Sequence, residues 1–154
     1  SNETVIVSAL NDLIKVNRDR FAGYQKATEL TKNEELRVLF ERLAMDSSKN
    51  INELSDQIRR INGKPFESSS IAGKFYRAWM DVKSMFSGDS DHSILIDCEY
   101  GEDVAIEAYE KVNRSNDFIM DVSADILLRH QEERIKEGHD TIKRLRNSFA
   151  KKQS

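Results

Sequence analysis

The chain has 154 residues, 33% of them charged, with six Gly, one Pro, one Cys and a formal net charge of -3. That length fits one domain with a real core, and so little Gly and Pro excludes collagen, flexible linkers and turn-rich β architectures. A lone Cys98 excludes an intrachain disulfide and a zinc ribbon, and the charge balance gives no general attraction to nucleic acid.

Apolar runs of no more than about three residues fall far short of the roughly 18 to 20 that a membrane span needs. No signal-peptide core opens the chain, so a cytoplasmic protein is expected. One all-α domain is expected over residues 3–150.

The first segment, about 4–30, repeats Leu10, Leu13, Ile14, Asn17, Phe21, Tyr24 and Thr28 at three- and four-residue steps, the spacing of one helix face. Thr31 followed by Glu34 has the form of a capping box and predicts a second helix over about 32–62. Its inward set is Leu36, Leu39, Phe40, Leu43, Ser47, Ile51, Leu54, Ile58 and Ile61. Asn62-Gly63-Lys64-Pro65 ends it, with Gly63 expected in the left-handed cap and Pro65 unable to continue.

The connection that follows is not featureless. Ile71, Phe75, Ala78, Trp79, Val82, Met85 and Phe86 keep helical spacing, and Ser68-Ser69-Ser70 can cap a short helix over about 70–86. A third long helix is predicted over about 91–113, with Leu95, Cys98, Glu102, Ala105, Tyr109 and Val112 inward. After Arg114-Ser115-Asn116-Asp117, a fourth covers about 122–149 with Leu128, Gln131, Ile135, Gly138, Ile142, Leu145 and Phe149 inward.

Four such segments make helices of about 35 to 45 Å and can bury their stripes only against one another. Short first and last connections make two antiparallel hairpins. The middle connection, about 25 residues, is long enough to travel the bundle and start the third helix where the second began. Two antiparallel hairpins joined by a long crossover carrying a short helix form the ferritin-like four-helix bundle. An up-down bundle with a fifth helix at one end is the structural alternative.

The run from Ser70 to Lys83 holds Arg77-Ala78-Trp79, and Gly101-Glu102-Asp103 follows with Ala108-Tyr109; Leu10-Asn11-Asp12-Leu13-Ile14 and Gly23-Tyr24 open the chain. Together, over roughly Leu10 to Leu145, these residues resemble an uncharacterised bacterial family of ferritin-like four-helix-bundle proteins, a domain of unknown function. The resemblance implies the ferritin-like fold and carries no activity with it.

Ferritin-like bundles that hold two irons take a Glu from each of two helices and a Glu-x-x-His pair from each of the others, because residues three apart project to one side. Three residues before His92, His130 and His139 stand Asp89, Leu127 and Lys136, so Glu-x-x-His occurs nowhere. Ser47 and Asn50 occupy the part of the second helix where such a pair is expected.

Among the inward polar residues Asn17, Ser47, Glu102, Gln131 and His139, one is a carboxylate. Buried, Glu102 needs a partner. It either ligates a metal together with His139 or bridges to Tyr24, Arg20 or His139 and fixes helix register. Cys98, flanked by Asp97 and Glu99, is expected to behave as a small apolar residue.

The third helix is acidic from Asp97 to Glu110, and the fourth ends in Lys143, Arg144, Arg146, Lys151 and Lys152. These are solvated faces, or an acidic and a basic surface that meet in a homodimer. Phe75 and Trp79 of the crossover are expected to pack on the bundle or to contact a protein partner. Nucleic acid and a membrane are not expected as partners, and neither a phosphate loop nor a nucleophile elbow is present.

The expected function is non-catalytic, through oligomerisation or partner binding, with no cofactor. The alternative is an atypical iron- or zinc-binding protein centred on Glu102 and His139.

Overall fold

A computed structural model describes residues 2–67 and 88–153. Among them are four helices and no strand: α1 (Asn2–Leu30), α2 (Glu34–Arg60), α3 (Asp91–Asn113) and α4 (Val122–Gln153). The expected crossover helix over 70–86, its Ser68–Ser70 cap, and Phe75 and Trp79 lie outside the described residues.

The helix ends correct the expected boundaries in detail. Thr31 does not cap α2, because its own N–H still donates to Ala27 O at 3.0 Å in the last turn of α1. Asn33 is the cap instead, its Oδ1 accepting from Leu36 N at 3.0 Å. Thr31 is buried and its hydroxyl donates to Asp91 at 2.6 Å, tying the α1–α2 turn to the start of α3.

At the far end of α2 the left-handed residue is Asn62, with φ 62°, and not Gly63. Asn tolerates that region because its short side chain bonds locally. Gly63 is needed for room, since a Cβ there would stand 2.5 Å from Val7 Cγ2. Ser90 caps α3 and Asp121 caps α4, accepting from Ser93 N at 3.1 Å and Ala124 N at 2.8 Å. α1 starts at Asn2, whose side chain donates to Ile119 O and accepts from Ile119 N, both at 3.2 Å.

Cross-helix pairs fix the directions. Going up α1 through Asn17, Arg20 and Tyr24, the partners on α2 fall through Asn50, Ser47 and Phe40. α1 and α2 are therefore antiparallel. Partners of α1 on α3 also fall, from Tyr109 for Asn17 to Glu102 for Arg20, while Asn113–Glu132 and Glu99–Arg146 set α3 antiparallel to α4. It follows that α2 and α3 run the same way.

The buried positions of α1 are Ile6, Leu10, Leu13, Asn17, Arg20, Tyr24 and Ala27, with Ile14 and Gly23 beside them. Steps of four and three alternate there, the repeat that keeps one seam facing its neighbours. Apolar residues on these seams form two clusters. One holds Leu10, Leu13, Leu54, Ile58, Leu128 and Ile135; the other holds Tyr24, Leu36, Phe40, Leu43, Leu95 and Ile142.

Candidate functional site

Polar residues separate the two clusters. Arg20 of α1 and Glu102 of α3 are 4% and 1% exposed, and their pairing is bidentate: Nε to Oε1 at 2.5 Å and Nη2 to Oε2 at 3.1 Å. The remaining arm of Arg20 donates from Nη1 to Ser47 Oγ at 2.9 Å and to the Leu43 carbonyl at 3.2 Å. Burial pulls the guanidinium toward losing its proton, but the Glu102 charge and hydrogen bonds overcome that and hold it charged well above its ordinary range. Both ions are then satisfied without water, the condition under which a buried pair is tolerated.

The fourth helix contributes an absence of side chain. A Cβ at Gly138 would stand 2.8 Å from Glu102 Oε2 and 3.1 Å from Arg20 Nη2, so glycine is what lets α4 close over the pair.

A second polar set lies one step along the bundle. Asn17 donates to the Tyr109 hydroxyl at 2.8 Å and to the Leu13 carbonyl at 2.9 Å, and it accepts from Asn50 at 3.0 Å. The Tyr109 hydroxyl donates to Gln131 at 2.6 Å; Gln131 and Arg134 both donate to Glu53 at 3.2 Å. Arg134 also reaches Asn50 Oδ1 at 2.9 Å. Burial raises the Tyr109 phenol well above its ordinary value, against the Asn17 hydrogen bond that lowers it, so it remains a donor.

Residues 5–115 match a family described as a domain of unknown function (DUF2383). The chain belongs to that family. No curated protein matches this DUF2383 chain. The match takes in Arg20, Ser47, Asn50, Glu102 and Tyr109 and ends before α4, short of the reach to Leu145 that the resemblance gave. Gln131, Gly138 and His139 therefore lie beyond it.

The two metal candidates of the DUF2383 chain keep separate company. Glu102 is occupied by Arg20, whereas the His139 ring lies between α3 and α4 with Nε2 2.9 Å from Asp103 and 3.8 Å from Glu99, and Nδ1 3.1 Å from Asp140. Glu99 is itself held by Arg146 at 2.5 Å. Among the described residues no three His, Cys, Asp or Glu side chains group so as to hold a metal ion.

The donors at mid-bundle do not fit a two-iron centre. One carboxylate faces inward, Glu53 is spent on Gln131 and Arg134, and two guanidinium groups place positive charge where a metal would bring more. Of the three partners the sequence offered for Glu102, Arg20 is the one it bonds. Glu53 and Arg134 had no warning in the sequence beyond ordinary helix-surface charge. Arg20 had one: it stands three residues after Asn17 and four before Tyr24, on the same seam.

Proposed function

We propose that this chain is a ferritin-like bundle whose centre is closed by an internal ion pair, and that it acts without catalysis through its surface, as an oligomer or by binding a protein partner. The directions of the helices support the ferritin-like reading, since bundles of that class are two antiparallel hairpins whose second and third helices run alike. The observation that carries the reading is the bidentate Arg20–Glu102 pair with Gly138 against it. It fills with a fixed cation the place where bundles of that class hold metal.

Surface action draws support from α3. Ile96, Tyr100 and Val104, four residues apart, are 43%, 59% and 47% exposed and share one face. A homodimer joining acidic α3 to the basic end of α4 has less to draw on, because Arg146 is already paired with Glu99 in its own chain. Lys143 and Arg144 remain exposed for it. Among the described residues no helix is long and apolar enough to cross a membrane.

The test is elemental analysis of protein purified without chelator and again after iron and zinc reconstitution, with Glu102→Ala alongside. No stoichiometric metal is expected in any sample. One or two metals per chain, lost in Glu102→Ala, would replace this reading with the atypical metal centre on Glu102 and His139. Light scattering of the same samples reads the oligomeric state, and a monomer with no captured partner leaves surface action without support.

A further inference from the structure

α3 carries more apolar surface than the bundle uses. Its seam of Ile94, Leu95, Cys98, Glu102, Ala105 and Tyr109 is buried, yet Ile96, Tyr100 and Val104 form a second line on the side turned away from it, four residues apart and each exposed. Isolated exposed apolar residues are ordinary, as Val38 and Met45 of α2 are. Three on consecutive turns of one helix make a stripe, the kind of surface that marks an interaction site.

The stripe is self-complementary. Ile96 and Val104 stand four residues either side of Tyr100, so a second α3 laid antiparallel on the first, with the two-fold axis at Tyr100, brings Ile96 of each chain beside Val104 of the other. Charge follows the same rule further out. Asp89, just before the Ser90 cap, and Lys111, in the last turn, stand eleven residues either side of Tyr100, and both are exposed. The antiparallel arrangement sets the carboxylate of each chain level with the ammonium of the other, whereas a parallel one would set like beside like.

The acids nearer the centre do not oppose this approach. Asp97 and Asp103 come to matching levels, but six residues apart they lie about 120° from one another around the helix, and a two-fold pair brings each flank of the stripe against the same flank of its copy. They therefore stay on opposite sides. Glu99 is already held by Arg146, and Asp103 faces His139, in the same chain.

We propose that this face of α3 binds a second copy of the chain, α3 against α3 in antiparallel register about Tyr100. This rests on the proposed action through the surface and gives it a face and a partner. Tyrosine suits the centre, because its ring supplies a large apolar contact and its hydroxyl a polar tip for the wet rim. One helix on another is a small interface, so a reversible dimer with a Kd of about 1 to 100 μM is expected.

Sedimentation of the full chain from about 1 μM to 1 mM tests it. The wild type is expected to pass from monomer to dimer across that range. Tyr100→Glu, which places two carboxylates at the axis, is expected to weaken the dimer about a hundredfold with the circular dichroism unchanged, since the side chain is exposed. Lys111→Glu is expected to weaken it about fivefold, and Lys111→Glu combined with Asp89→Lys to restore it. Within one chain those two residues lie at opposite ends of α3, so the rescue reads the contact between copies. A wild type that stays monomeric throughout overturns the proposal and removes oligomerisation from the function. A dimer that Tyr100→Glu leaves intact, or that the charge exchange fails to restore, overturns this face or this register while oligomerisation stands.

Discussion

The two apolar ends of the bundle and the polar layer between them hold the same four helices by different physics. At the ends, Leu10, Leu13, Leu54 and Ile58 on one side and Leu36, Phe40, Leu95 and Ile142 on the other are almost wholly buried. Each contributes about 1.5 to 3 kcal/mol by leaving water, whatever its exact neighbour. Apolar contact is non-directional, so such ends discriminate only weakly between alignments offset by one helical turn, which keep the apolar stripe inward.

The middle does not. Arg20 must meet Glu102, Ser47 and the Leu43 carbonyl at once, and Asn17 must meet Tyr109 and Asn50. A shift of one turn would strand a buried charge. In this chain the ends supply the greater part of the stability and the middle selects one alignment of α1, α2 and α3.

Breaking the middle from one side should have the largest effect. Arg20→Met leaves the Glu102 carboxylate buried and alone and is expected to cost about 3 to 5 kcal/mol in urea denaturation. Replacing both partners, Arg20→Met with Glu102→Leu, turns the middle into a copy of the ends. The double variant is expected within about 1 kcal/mol of wild type, or above it, with a less sharply defined alignment in its NMR spectrum. A double variant as unstable as the single one would mean that the layer contributes more than its mutual compensation.

Tyr109→Phe removes one donor and one acceptor and leaves Asn17 and Gln131 short of a partner. A loss of about 1 to 2 kcal/mol is expected by the same measurement. Gly138→Ala sharpens the steric half of the comparison. Helix propensity alone favours Ala by about 1 kcal/mol, yet the added methyl meets the locked ends of Glu102 and Arg20, and a net loss of about 1 kcal/mol is expected in thermal melts.

The smallest effect concerns the rim. Burial raises the Asp19 carboxyl from 3.8 to about 6. Its folded form binds the proton more tightly than the unfolded chain does, so stability falls as pH rises between those two values and this contribution is flat above them. Asp19→Asn removes the penalty. Allowing for solvent screening of a partly exposed group, it should gain about 1 kcal/mol at pH 7 and nothing near pH 3, read from melting curves across that range.

Much of this was legible in the sequence. Leu10, Leu13 and Tyr24 on α1, or Leu95, Cys98, Glu102 and Tyr109 on α3, are buried where their spacing put them. On α1, however, Phe21 and Thr28 stood in the inward set and are half-buried, whereas Arg20 and Ala27 complete the seam. The error has a physical source. Arginine is read as a surface residue because burying its charge alone is so costly, and although Arg20 stood among the three partners offered for Glu102, the spacing within α1 does not show which of them that carboxylate, 82 residues away, takes.

The cap of α2 went astray because two helices meet within three residues. Thr31 fits the capping pattern better than Asn33 in isolation, but its N–H still closes the last turn of α1 and its hydroxyl oxygen accepts from Asn33 N, which leaves Leu36 N to the Asn33 side chain.

The sequence by itself determined that the chain makes four amphipathic helices with a polar stripe interrupting their seams, because periodicity and capping act over a few residues and one helix at a time. Only the tertiary structure decided which polar residues meet. Arg20 with Glu102, Gly138 beside both, and His139 apart from them on Asp103 depend on how distant helices align, and that alignment is set by satisfying every buried charge and hydrogen bond together.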